Sequence, residues 1–162
     1  MLGPVDPVRD ADPGAFAENI AVNVMGVVHG TQAYLRHLHD RRSGGVLVNI
    51  SSGAASKAYP GWGAYCAAKA AVERLTEVVA AEEAAHGVRA YAVAPGVVDT
   101  DMQATIRATP AERFPLVDRF VAIKEADALN RVDHVARYLL DLAFDPATRP
   151  AGWQLRVPDE RG

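Results

Sequence analysis

Cysteine is almost missing from this sequence: Cys66 is the sole example in 162 residues. One thiol cannot form an internal disulfide, so folding must rest on burial, and a reducing, cytoplasmic setting is expected. No histidine stands near Cys66 in sequence, which makes it a small packing residue and not a nucleophile. Long apolar runs are missing as well. None approaches the roughly 20 residues that cross a bilayer, and the N-terminus lacks the basic-then-apolar order of an export signal, so no membrane partner is expected. Nor is positive charge in excess, because 17 Lys and Arg face 20 Asp and Glu for a net of −3. The bases are scattered among acids and form no stripe, which argues against nucleic acid. The 5 histidines, at 29, 37, 39, 86 and 134, show no metal-binding spacing backed by carboxylates or cysteines. No metal is expected, and His37 and His39 read as a solvated helix end. What is plentiful is apolar side chain, 49% of the residues, enough for one soluble domain over 1–162 with a real core.

The chemistry concentrates in residues 49–69, N-I-S-S-G-A-A-S-K-A-Y-P-G-W-G-A-Y-C-A-A-K. An apolar run over 46–51 predicts a buried strand ending in Ser51 and Ser52, at the C-terminal edge where open α/β sheets place their ligands. A helix beginning near Tyr65 carries Lys69 four residues later, so phenol and ammonium share one face. A lysine held ~4 Å from a tyrosine favours the phenolate by up to about 4 kcal/mol at an effective dielectric of 20, and burial opposes it. Such a tyrosine exchanges a proton with an alcohol or carbonyl oxygen, and a serine at the strand end holds that same oxygen.

Around this stretch the elements fall into order. Asp12 and Pro13 predict a helix N-terminus, and the apolar face that follows carries the helix to about residue 41. Asn23 lies in its middle, where a poor helix former needs solvent, a kink or a role. Residues 43–45 turn into the strand, and the helix bearing Tyr65 runs to His86 with Gly87 as its cap. A second strand over 88–94 delivers Pro95 and Gly96 to the same edge. Residues 101–130, broken by Pro110 and Pro115, read either as short helices lidding an apolar pocket or as ordinary core. A helix over 131–144 and a strand over 152–157 close the chain. The strands are expected to lie as three parallel neighbours joined by helical crossovers.

Ser52, Tyr65 and Lys69, spaced as S-x12-Y-x3-K, resemble the catalytic signature of the short-chain dehydrogenases/reductases. Three further stretches share the likeness: N-V-M-G at Asn23, P-G-V-V-D-T over 95–100, and A-G-W-Q-L-R-V over 151–157. The resemblance implies an α/β fold, a partial Rossmann-like doubly wound parallel sheet, and NADP or NAD as cofactor without a readable preference. It implies that Tyr65 transfers the proton and Ser52 holds the substrate oxygen. Lys69 tunes Tyr65 and holds the nicotinamide ribose, while Asn23 anchors a water relay to Lys69. Pro95, Gly96, Val98, Thr100 and Met102 meet the nicotinamide. The stretches G-W-G-A-Y-C-A-A-K and A-P-G-V-V-D-T-D-M-Q are similar to the branch of the family that holds sepiapterin and benzil reductases. That similarity implies a ketone or vicinal dicarbonyl substrate faced by Tyr59 and Trp62, and a homodimer or homotetramer.

The family's glycine-rich G-x-x-x-G-x-G turn, which receives the pyrophosphate, has no counterpart here. The chain resembles the part of the fold after its fourth strand, and a mis-assigned start, a deliberate fragment and a degenerate module remain as explanations. The expectation is a bare edge on the first strand, marginal stability and weak cofactor binding. A non-catalytic module that dimerises through the helices 13–41 and 61–86 is the rival to the reductase reading.

Overall fold

The computed structural model describes residues 1–161. Asp12 caps the first helix through Oδ1, which accepts from the Ala15 amide at 2.8 Å, and Pro13 occupies its first turn. This helix, α1 (Pro13–Ile20), continues through a π-helical turn over Ala21–Met25 into α2 (Gly26–Asp40). The wide turn falls at Asn23, one of whose open alternatives is a kink, and is a π-bulge, a feature often found at functional sites.

Strand β1 (Gly45–Ile50) follows, then α3 (Gly63–Glu83), β2 (Val88–Ala94), α4 (Asp101–Arg107), α5 (Val117–Glu125), α6 (Val132–Phe144) and β3 (Gln154–Arg156). The sheet has the order β1-β2-β3 with both pairings parallel. Gly87 caps the end of α3 with φ +74°, where glycine carries no steric penalty. β3 is shorter than the 152–157 expected, since Pro150, Gly152 and Pro158 flank it. Flanking bonds still hold the longer run: Ala92 donates to the Trp153 carbonyl at 2.7 Å, and Val157 donates to that of Ala94 at 2.9 Å.

Helices cover both faces of the sheet, as the doubly wound pattern requires. On one face Tyr91, Val93 and Val157 pack with Val135 and Leu142 of α6. On the other, Ala68 and Ala92, both 0% exposed, allow α3 to approach β2 closely. Thr76 of α3 is fixed there, donating to the Val72 carbonyl at 2.7 Å and accepting from Asn49 Nδ2 at 2.9 Å. A bulkier side chain at Ala68 would cost on the order of 1–3 kcal/mol. β1 is the edge strand, with Ile50 left 41% exposed.

Residues 1–12, read from sequence as loop, are tied down. Asn19, fully buried, donates through Nδ2 to the Leu2 and Gly3 carbonyls, and Leu2 and Val5 join a core with Trp62, Ile106, Phe114 and Phe120. Asp6 pairs with the backbone of Trp62, and Arg113 clasps the Asp6 carboxylate in a two-pronged ion pair at 2.6 and 2.9 Å. Of the two readings of 101–130, the core reading holds for its interior, since Phe114 and Ile106 are essentially inaccessible. Met102, Gln103, Arg119 and Phe120 of the same stretch line a cleft.

Candidate active site

The C-terminal ends of β1 and β2 open into a cleft of about 440 Å³, and Ser52, Tyr59, Trp62, Tyr65, Lys69, Pro95, Gly96, Val98, Thr100 and Met102 all line it. Of the residues singled out from sequence, Asn23 alone does not. Ser52 caps the 3-10 turn Gly53–Ala55, its hydroxyl accepting from the Ala54 amide at 3.2 Å. Its hydroxyl also faces the Tyr65 phenol. Ser51 points away to the Glu73 carboxylate, donating at 2.6 Å.

Tyr65 and Lys69 stand one turn apart on α3, with the Lys69 ammonium 5.6 Å from the centre of the Tyr65 ring. Burial dominates the titration of both groups. It pushes the Tyr65 phenol above the usual tyrosine range, with the hydrogen bond from Ser52 opposing less strongly and the neighbouring Cys66 adding to the rise. It pushes the Lys69 ammonium below the usual lysine range. Of the two opposing effects expected at Tyr65, burial is the stronger. The Lys69 ammonium donates to the Ile50 carbonyl at 2.8 Å, and burial makes ionisation of the Tyr65 phenol harder than for a free tyrosine. A protonated, partly desolvated phenol beside a serine hydroxyl is a proton donor to an oxygen placed between them.

Asn23 has a different partner from the relay expected of it. Its Nδ2 donates to the Met1 carbonyl at 2.8 Å and to Asn19 Oδ1 at 2.9 Å, while its Oδ1 accepts from the Met1 ammonium at 3.1 Å. That ammonium titrates below its ordinary range, first because it is buried and second because Lys69 repels it.

The turn after β2 is clamped by a residue that sequence reasoning missed. Asn130 donates through Nδ2 to the Pro95 carbonyl at 3.0 Å and accepts through Oδ1 from the Glu160 amide at 3.0 Å. Its backbone bonds to Val97 at 2.8 Å and to Asp99 at 3.1 Å. Gly96 has φ +77°, and a Cβ there would lie 2.7 Å from Asn130 Nδ2, so glycine is required twice over. The Thr100 hydroxyl turns back to the Val98 carbonyl at 3.4 Å. Nothing in the sequence marks Asn130, which is 35 residues from Pro95. Glu73 did carry a signal, since it lies four residues beyond Lys69 on the same helix face. It accepts from both Ser51 and Gln154.

The apolar wall of the cleft is aromatic. Trp62 stacks on Phe114 with ring centroids 4.6 Å apart and an interplanar angle of 2°, and on Tyr59 at 4.9 Å and 18°. Phe120 tilts against both Trp62 and Tyr59. Trp62 is only 5% exposed, so it acts first as packing, with Tyr59 and Phe120 beside it at the cleft. Two buried polar atoms of the wall, Trp62 Nε1 and Gln103 Oε1, have no protein partner.

The family model described as short chain dehydrogenase matches residues 2–111. The chain belongs to this family. The benzil reductase ((S)-benzoin forming) of Bacillus cereus is 37% identical over 160 residues, covering 98% of this chain and 64% of that protein. The chain therefore spans less than two thirds of the length of this relative. Among solved structures, a short chain dehydrogenase/reductase from Saccharomyces cerevisiae matches with TM-score 0.83 and 30% identity, over 99% of this chain and 64% of that one. A short chain dehydrogenase from Burkholderia cenocepacia J2315, solved in complex with NADP, matches with TM-score 0.72 and 26% identity over 97% and 56%. These folds agree with the α/β, partial Rossmann-like architecture. Among the described residues, no helix is long and apolar enough to cross a membrane.

Proposed function

We propose that this chain carries the proton-transfer and nicotinamide-facing part of an NAD(P)-dependent reductase acting on ketones or vicinal dicarbonyls. The observation behind the proposal is the convergence of Ser52, Tyr65 and Lys69 with the 95–100 turn in one aromatic-walled cleft. The fit to a nicotinamide riboside rests on the donor set. Lys69 supplies a partly buried ammonium, Val98 supplies backbone beside the open turn at Gly96, and the unpartnered Gln103 oxygen accepts an amide hydrogen. In this role Thr100 and Met102 border the carboxamide, and Pro95 and Gly96 keep side chains out of its way.

A bound nicotinamide supplies a hydride to the carbonyl carbon of the substrate. The residues of this chain handle the oxygen. Ser52 donates to it, Tyr65 gives it the phenolic proton as negative charge builds there, and Lys69 stabilises the resulting phenolate until solvent returns the proton. The electron pair of the C=O π bond takes up that proton, so the product is the alcohol. The stack of Tyr59 on Trp62, with Phe120 tilted against both, suits an aryl ketone or diketone, the class to which benzil belongs.

The alternative of a non-catalytic dimerisation module has less support, because the similar proteins bear oxidoreductase names. Association of copies is compatible with the reductase reading, and the outward Val22, Met25 and Val78 on the two long helices favour it. The decisive assay is reduction of benzil with NADPH or NADH, followed by loss of nicotinamide absorbance. Tyr65→Phe is expected to lower kcat by about 10²–10⁴-fold with cofactor affinity held within severalfold. Retention of more than about a tenth of the activity contradicts the role of Tyr65, and a wild type that turns over no carbonyl with either cofactor contradicts the proposal.

A further inference from the structure

At the opposite end of the sheet, the last turns of α2 and α3 meet. His39 comes from α2, Glu83 from the end of α3, and His86 from the 3-10 turn that follows it. Their nearest ligand atoms, two imidazole nitrogens and a carboxylate oxygen, all lie within 4.8 Å of one another. His39 Nε2 and Glu83 Oε2 are 2.8 Å apart, and the two imidazole rings are tilted by 57° with centroids 4.6 Å apart. The sequence hid the cluster because His39 and Glu83 are 44 positions apart; His39 does lie exposed at the end of α2, as read from sequence, with Glu83 and His86 beside it.

We propose that His39, Glu83 and His86 bind one borderline divalent transition-metal ion of the zinc class, tying the ends of α2 and α3 together. Glu83 and His86, three residues apart, form a Glu-x-x-His pair, a spacing used by carboxylate-bridged metal sites. Two imidazoles and one carboxylate suit zinc, nickel or copper and not magnesium or calcium, which prefer all-oxygen shells. Arg42 lines the same hollow as His39 and His86, and its charge disfavours an ion held by Coulomb attraction alone. A tetrahedral zinc with bonds of about 2.0–2.1 Å sets its ligands about 3.3 Å apart. The three side chains reach that spacing by small rotations, because His39 is 44% exposed and the scaffold beneath does not need to move. The scaffold is fixed by the backbone bonds from Ser43 to Leu38 at 3.0 Å and from Gly45 to Gly87 at 3.3 Å. The ion takes the place of the His39–Glu83 hydrogen bond, held by neutral imidazoles and the carboxylate, and water completes the coordination.

The experiment is calorimetric titration of the untagged full chain with zinc chloride in a non-chelating buffer, alongside thermal melts with and without zinc. One ion per chain and a higher melting temperature are expected. His39→Ala and His86→Ala should each weaken binding by at least the roughly 10–100-fold that loss of even an outer-shell partner costs, with Glu83→Gln also weaker. His37→Ala and His134→Ala should leave affinity within about twofold. All these positions are exposed or half-buried, and circular dichroism in the absence of zinc serves as the folding control. A wild type that gives neither heat nor a melting shift overturns the proposal. So does zinc binding that survives both His39→Ala and His86→Ala.

Discussion

Gly96→Ala tests how the turn beside the cleft is held. With φ at +77°, an alanine there carries a left-handed backbone penalty of roughly 1–2 kcal/mol. The added methyl would also sit 2.7 Å from Asn130 Nδ2, inside contact distance. Asn130 cannot retreat freely, because its amide is held at both ends, to the Pro95 carbonyl and to the Glu160 amide. Displacing it forfeits at least one of those bonds, about 0.5–1.5 kcal/mol. The sum, on the order of 2–3 kcal/mol, corresponds to a melting temperature lower by roughly 4–12 °C for a chain of this size. Urea or thermal unfolding reads the effect directly, and a double-mutant cycle separates its parts. In an Asn130→Ala background the clash disappears and only the backbone penalty is left, so the two substitutions should couple by about 1 kcal/mol. Additivity within about 0.3 kcal/mol, or a Gly96→Ala chain as stable as the wild type, refutes the reasoning.

Two pH effects follow from the titrating groups. Arg113 hydrogen-bonds Asp6 and holds its carboxyl below the usual range, so the contribution of the pair is complete above about pH 4 and is lost as pH falls through the lower folded-state value. The stability gap between wild type and Asp6→Asn should thus stay constant from about pH 8 to 5 and close in acid, and a gap unchanged near pH 3 contradicts the pairing. Burial raises the Tyr65 phenol in the folded chain, so the stability it carries is present below about pH 10 and declines as pH rises through the folded value. Denaturant midpoints measured from about pH 8 to 11 should fall less steeply in Tyr65→Phe, and identical slopes would mean that the phenol is not desolvated.

Local pattern was sufficient for most elements and for the family. Asp12-Pro13, the apolar periodicity of the long helices and Gly87 predicted helix ends that the structure reproduces within a few residues, because caps and apolar stripes act over one or two turns. Ser52, Tyr65 and Lys69 were legible because a strand end and one helix face bring them together over a short stretch of chain. Three things required tertiary structure. The grip of Asn19 and Asn23 on residues 1–3 and the clamp of Asn130 on Pro95 join segments 16 to 35 positions apart, and no local preference encodes such bonds. The titration of Tyr65 turned on burial, a property of everything packed around it, and burial outweighed the neighbouring lysine visible in the sequence. The convergence of His39 with Glu83 and His86 depends on where two helices end relative to one another, which the sheet and its crossovers decide.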